Sequence, residues 1–273
     1  SLQETRAALI AAKEVCDLPI MATMTFESDG RTLYGTDAKT AAIVLESLGA
    51  VAIGVNCSTG PDLMSQIIAD MASVTTVPII AKPNAGLPSV DETGTTVYDM
   101  DAVTFGKEMV QLVEAGASIL GGCCGTSPEY IKELVKNTRT LSVKKREKNG
   151  YRYLASERQS LAFSLDGNFI IVGERINPTG KKALQAELRE DNLEMVERFA
   201  EEQTQCGAGI LDINVGMSGI DEKEMMLKVL ETVGNITSLP LAIDSSHIDV
   251  MEVALRKYPG RALINSISLE KEK

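Results

Sequence analysis

Two short cysteine sites carry the most chemistry in this chain. One is Asn56-Cys57; the other is Gly121-Gly122-Cys123-Cys124-Gly125, with Cys123 66 positions after Cys57. Each follows an apolar run, Val51-Ala52-Ile53-Gly54-Val55 in the first case and Ala117-Ser118-Ile119-Leu120 in the second. A thiolate is both a nucleophile and a soft metal ligand. Three thiols from two strand ends can meet on one zinc ion, and three protein ligands with a fourth position open is the pattern of a catalytic zinc. The flanking glycines let backbone approach an ion closely. Each cysteine alone could equally fill space in a core, and adjacent cysteines are strained as disulfide partners. Cys16 precedes a strand and Cys206 closes a helix, so both read as structural.

The elements that must place these residues alternate with a short period. Strands are expected at Pro19–Phe26, Val51–Val55, Val77–Ala81 and Ser118–Leu120. Helices are expected at Thr36–Leu48, Pro61–Met71, Asp101–Ala115 and Pro128–Lys136. Asp37 lies in the first turn of the first of these helices and Gly49 follows its end, the usual start and stop chemistry. Such alternation implies a parallel sheet. Asn137 to Ser160 then loses apolar periodicity and carries Lys144-Lys145-Arg146-Glu147-Lys148. A second series follows, with strands at Phe169–Val172, Ile210–Ile213, Leu241–Ile243 and Ala262–Ile264, and helices at Asp191–Cys206, Asp221–Val233 and Ile248–Arg256.

The fold class expected is therefore α/β: two partial (β/α)8 TIM-type barrels joined by a linker. The expected divisions are 1–138, a linker at 139–166, and 167–273. Four strands are half of an eight-stranded barrel, so the chain reads as a piece cut from a longer polypeptide at both ends. In such barrels the strand carboxyl ends open onto one face, where chemistry collects.

Bulk properties narrow the partners. The chain has 273 residues, 44% hydrophobic, with no Trp and 4% aromatics, so its core is aliphatic. The net charge of −11 argues against a nucleic-acid partner. No apolar run approaches the roughly 20 residues of a membrane span, and no signal peptide opens the chain. Five cysteines, an odd number, do not make a secreted disulfide framework. A reducing cytoplasm is the expected location.

The motifs then acquire a family. Met21-Ala-Thr-Met-Thr-Phe26, Gly54-Val-Asn-Cys57, Ala81-Lys-Pro-Asn-Ala-Gly86 and Gly121-Gly-Cys-Cys-Gly-Thr126 together resemble the homocysteine-binding barrel of cobalamin-dependent methionine synthases. Gly173-Glu-Arg-Ile-Asn-Pro-Thr-Gly180, Leu211-Asp-Ile-Asn-Val-Gly216, Ile243-Asp-Ser-Ser246 and Ile264-Asn-Ser266 resemble their methyltetrahydrofolate-binding, pterin-binding barrel. The order of the two also matches, and the resemblance covers nearly the whole chain. Betaine-dependent homocysteine methyltransferases share the first set but not the second.

This resemblance implies that Cys57, Cys123 and Cys124 hold zinc, that homocysteine sulfur takes the open position, and that Asn84 fills it when substrate is absent. As a residue, Asn84 reads equally as a turn after Pro83. The resemblance further implies that Asp212, Asn214, Asp244 and Asn265, at or just past strand ends, match the donor–acceptor edge of a pterin ring, with Glu174 and Asn177 in the signature loop. Taken singly, these residues read equally as turn or capping residues. Glu174 and Arg175 could equally form an ion pair, and His247 reads as a helix-cap residue. The implied reaction is methyl transfer from 5-methyltetrahydrofolate, via a corrinoid, to zinc-activated homocysteine. No Asp-x-His-x-x-Gly motif is present, so the cobalamin is expected on a separate corrinoid-binding module. Two other readings stand beside this one: a non-catalytic fragment, and a pterin enzyme of the dihydropteroate synthase type, against which the cysteine trio argues.

Overall fold

The computed structural model describes residues 1–143, 145–147 and 149–267. Lys144 and Lys148 of the basic run lie outside the described residues. The chain divides into two compact units, Ser1–Gly150 and the chain from Tyr151 onward.

The first unit opens with helix α1 (Leu2–Val15), whose Ser1 and Glu4 form a reciprocal capping box. Strand β1 (Met21–Met24), helix α2 (Ala38–Ser47), β2 (Ala52–Asn56), α3 (Pro61–Ala72) and β3 (Ile79–Lys82) follow. A hairpin of β4 (Pro88–Val90) and β5 (Thr96–Tyr98) comes next, then α4 (Ala102–Ala115), β6 (Ile119–Leu120) and α5 (Pro128–Thr138). Four of the strands form one parallel sheet in the order β1-β2-β3-β6. Local chemistry sets the helix starts: Asp37 accepts from the Thr40 N–H and Asp101 from those of Val103 and Thr104. Pro61 and Pro128 occupy the first helical positions of α3 and α5, where no N–H is needed. Ala52 through Val55 are all buried, as expected for a strand covered on both faces. The Arg146 guanidinium donates to the Gly116 and Val77 carbonyls, and Asn149 donates to Ser73 O, so the chain beyond α5 stays tied to this unit.

The second unit opens on an antiparallel hairpin, β7 (Arg152–Ala155) with β8 (Ser160–Phe163). It continues with β9 (Val172–Ile176), α6 (Lys182–Arg189), α7 (Glu194–Gln205), β10 (Ile210–Asn214) and α8 (Glu222–Ile236). It closes with β11 (Leu241–Asp244), α9 (Ile248–Lys257) and β12 (Leu263–Asn265). The sheet is parallel in the order β12-β11-β10-β9. Period-2 alternation sorts its faces. Leu211, Ile213, Leu241 and Ile243 join the core formed with the helices. Ile210 and Ala242 look the other way and pack with Leu154, Leu161, Phe163 and Ile170. The hairpin therefore seals the lower part of the face that bears the polar residues. Ala155 exchanges backbone hydrogen bonds with Arg261, and the Tyr258 hydroxyl donates to Ala155 O.

The alternating α/β reading and both parallel sheets stand. Among the described residues each sheet has four strands and two open edges, β1 and β6 in one, β9 and β12 in the other. Several local expectations shift. The stretch expected to be linker carries the β7–β8 hairpin, because Leu154 and Ala155 are buried rather than solvated. The strand expected at Phe169–Val172 starts at Val172 and runs into the signature segment, leaving Phe169 91% exposed. The helix expected from Asp191 starts at Glu194, since Asp191 has a left-handed φ of 57°.

Candidate metal centre and polar strand-end site

Cys57 follows the last residue of β2, and Cys123 and Cys124 follow β6; β3 lies between them in the sheet. The segment after β3 is the spine that brings them together. Lys82 O accepts from Cys57 N at 3.1 Å and Pro83 O from Cys123 N at 2.9 Å. Asn84, buried at 4% exposure, accepts from Cys124 N on its Oδ1 at 3.1 Å. The Ala85 N–H returns to Cys124 O at 2.9 Å. Cys57 and Ser58 take left-handed backbone, φ 60° and 64°, which a non-glycine residue adopts at a cost. That turn faces the Cys57 sulfur toward the second loop.

The three sulfurs lie within 4.8 Å of one another. Cys124 Sγ is 3.8 Å from Cys57 Sγ and 3.9 Å from Cys123 Sγ. Zinc–sulfur bonds of about 2.3 Å in a tetrahedron put sulfurs about 3.8 Å apart, so two of the three edges already have that size. Cys57 and Cys123 are bonded as a disulfide, their Cα atoms 5.7 Å apart. The sequence was expected to offer three thiols. Zinc binds thiolates, so seating it here requires the Cys57–Cys123 bond to be reduced. The donor set fits a soft divalent metal.

One residue here carries no sequence signal. Tyr98, at the end of β5, lies against Gly125, whose hypothetical Cβ would sit 2.5 Å from the tyrosine ring. Partial desolvation, then a hydrogen bond with Cys124, holds its phenol above the usual range. Cys16 and Cys206 lie at the ends of α1 and α7, outside this cluster.

In the second unit, polar residues gather at the strand carboxyl ends. Register places Asn214, Asp244 and Asn265 side by side, with Asp212 one step below beside Ala242. Asn214 Nδ2 donates to Asp244 Oδ2 at 2.9 Å. Asn265 Nδ2 donates to Asp212 Oδ1 at 3.1 Å, spanning β11 over the small Ala242. In the signature segment, Asn177 Nδ2 donates to Glu174 Oε1 at 2.9 Å, and Asn177 Oδ1 accepts from Thr179 N. Arg175 does not join Glu174; its guanidinium lies 5.1 Å over the Phe199 ring. His247 occupies the N-cap position of α9 without a side-chain capping bond. Ser245 and Glu222, not anticipated from sequence, are joined at 2.6 Å beside the site.

Asp212 is 3% exposed, and its Oδ2 is buried without a hydrogen-bond partner. Burial pushes its carboxyl up to about 6, the Asn265 hydrogen bond works against this, and the Asp244 and Glu174 charges raise it further. The folded carboxyl thus holds its proton to higher pH than the unfolded one, near 3.8. Below the unfolded value both states are protonated; between the two values the folded state binds more protons, so stability falls as pH rises from about 4 to 6 and levels above. Asp212→Asn is expected to remove that fall, making the variant more stable at pH 7 by about 1–2 kcal/mol and leaving no such gain below pH 4. Denaturant unfolding at pH 3.5, 5 and 7 checks it. An identical pH slope in both proteins would remove Asp212 as the source.

One unit of this chain gathers three cysteine sulfurs at its strand ends; the other lines the same end of its sheet with carboxylates and amides. That is an α/β chain with one polar cluster at the strand ends of each unit. The chain belongs to the homocysteine S-methyltransferase family, whose profile matches residues 1–138. A second profile, pterin binding enzyme, matches residues 173–273. The chain is 29% identical over 254 residues to a methionine synthase of Mycobacterium tuberculosis, covering 93% of this chain and 21% of that protein. A methionine synthase of Mycobacterium leprae is also 29% identical, over 262 residues. The chain thus spans about a fifth of the length of these relatives. The oxidised form of the homocysteine methyltransferase MmuM from Escherichia coli aligns with TM-score 0.38 and 22% identity, over 50% of this chain and 41% of that one. Among the described residues no helix is long and apolar enough to cross a membrane.

Proposed function

We propose that this chain is the junction piece of a methionine-forming methyltransferase, contributing the metal-bearing part of a homocysteine site and part of a methyltetrahydrofolate site. The observation that carries this reading is the convergence of Cys57, Cys123 and Cys124 within 4.8 Å, at strand ends of a unit of the homocysteine S-methyltransferase family. Cys57, Cys123 and Cys124 would hold zinc, and Asn84, whose Oδ1 accepts from Cys124 N, would fill the open position while substrate is absent. Bound zinc lowers the pKa of a substrate thiol, supplying thiolate at neutral pH. Asp212, Asn214, Asp244 and Asn265, with Glu174 and Asn177 at the rim, would pair with the edge of the pterin. A carboxyl held near 6 donates or accepts depending on its protonation, so Asp212 suits a ring nitrogen whose own protonation changes on methyl loss. The methyl carrier between the sites is a corrinoid on a separate module, and the cytoplasm is the matching compartment.

The chain alone is expected to turn over little. Among the described residues each parallel sheet has four strands and two open edges, where a closed eight-stranded barrel has none. A loss of about 1 Å in positioning costs on the order of a hundredfold in rate. The test is to supply cobalamin, 5-methyltetrahydrofolate and homocysteine to the reduced, zinc-loaded chain and measure methionine, alongside ligand binding. Binding of homocysteine and 5-methyltetrahydrofolate with little turnover is the expected result. Binding of neither would overturn the reading, and turnover matching a full-length enzyme would overturn the view of the chain as a piece.

A further inference from the structure

The β9–β10 pairing is irregular at its most polar point. Val172 and Gly173 pair with Ile210 and Leu211, but the next pair is Ile176 with Ile213. Two residues of β9, Glu174 and Arg175, therefore oppose the single residue Asp212 of β10. Such a bulge leaves the extra residue outside the ladder and re-aims its side chain. The Arg175 N–H is accordingly taken up by a side chain, Gln203 Oε1 of α7, at 2.8 Å. Gln203 is itself fixed, 9% exposed and with its Nε2 donating to Phe199 O at 2.9 Å. Phe199 lies one helical turn before Gln203, and its ring carries the Arg175 guanidinium. One face of α7 thus grips Arg175 at its backbone and at its side-chain end. Gly173 makes room for this grip: a Cβ there would stand 2.7 Å from Gln203 Oε1. With Arg175 drawn to the helix layer, its neighbour Glu174 is turned toward Asn177, to which it is hydrogen-bonded, with Asp212 the residue across the ladder.

We propose that Gln203 is a positioning residue for the polar site, holding the β9 bulge so that the Glu174 carboxylate stays against Asp212. Gln203 need not touch any ligand to do this. It replaces a ladder hydrogen bond that the bulge removes, and an amide side chain is suited to that task because it accepts from Arg175 N while donating to Phe199 O. The link to ligand binding rests on the folate reading of this site; the link to Glu174 and Asp212 does not.

The experiment uses the full chain with two variants that disturb the same bond from opposite sides, Gln203→Met and Gly173→Ala. Three quantities are read: hydrogen exchange of the Arg175 amide, the carbon-detected titration of the Asp212 carboxyl, and 5-methyltetrahydrofolate binding. Gln203→Glu, which keeps the acceptor, serves as rescue for the exchange measurement. Both disturbing variants are expected to exchange the Arg175 amide at least about tenfold faster, with protection kept in Gln203→Glu. The Asp212 midpoint should fall as the Glu174 charge moves away, with burial and Asp244 still holding it above the ordinary value, and binding should weaken about tenfold. An unmoved Asp212 midpoint, with or without a change in binding, overturns the proposal. A moved midpoint in a chain whose wild type binds no 5-methyltetrahydrofolate upholds it and overturns the folate reading instead.

Discussion

Purified reduced and supplied with zinc, the chain is expected to hold close to one zinc per molecule, and Cys123→Ser to lose it. Two sulfur–sulfur separations near 3.8 Å already match a zinc tetrahedron, and the backbone of Lys82, Pro83 and Ala85 with the Asn84 side chain fixes the loops that bear them. A serine offers a hard, protonated oxygen where a thiolate is needed, and loss of a direct ligand should cost more than the tenfold to hundredfold typical of supporting residues. Affinity weaker by at least about a hundredfold is therefore expected. Cys16→Ser and Cys206→Ser, outside the cluster, should retain the metal. Elemental analysis with a chelator competition reads all three. Equal zinc in wild type and Cys123→Ser would remove the metal assignment, as would loss on changing Cys16 or Cys206 alone.

The second large effect concerns the folate-type site. Asp244→Ala is expected to weaken 5-methyltetrahydrofolate binding by about 1–3 kcal/mol, the cost of stranding a buried polar partner. Asp244 accepts from Asn214 and neighbours Asn265 in the register, so its loss strips one acceptor from the ligand and frees Asn214 to turn. Asp249→Ala is the control, since Asp249 lies on the α9 surface paired with Lys223. Titration calorimetry on folded variants decides it. Equal affinity in wild type and Asp244→Ala would place the pterin edge elsewhere.

Much of this was legible in the sequence, for definite reasons. Val51-Ala-Ile-Gly-Val55 and Leu241-Ala-Ile243 are unbroken apolar runs, and Ala52–Val55 and Leu241–Ile243 became strand residues covered on two faces. Caps such as Asp37 and Asp101 announced their helices through local hydrogen bonds, which need only neighbours in sequence. The convergence of Asp212 with Asn265 was legible because Asn265 ends one recognisable strand and Asp212 lies two residues before the end of another, on the face it shares with Asn214. What stayed hidden depends on distant partners. The β7–β8 hairpin sends little signal of its own: Arg152, Tyr153 and Ser160 alternate only weakly, and the strands are fixed by packing on Ile210 and Ala242. Gln203 looks like any polar helix residue until the bulge gives its side chain a backbone to serve. Tyr98 ends a hairpin in a stretch where the sequence pattern marks no element, and only the fold brings it to Gly125.

The Arg146 anchor and the β7–β8 hairpin have a practical consequence for dividing the chain. Before Gly150 the backbone is stapled to the first unit through Arg146 and Asn149; from Arg152 it is already a strand of the second. The severable stretch is thus a residue or two around Gly150, far shorter than a linker of composition alone would suggest. Separate expression of the two parts belongs at that glycine. A start at residue 167 would discard Leu154, Leu161 and Phe163, stripping the cover from Ile210 and Ala242 and taking Ala155 from both Arg261 and Tyr258. The resulting protein would expose an oily floor beneath its polar residues and would be a candidate for aggregation rather than for ligand titration.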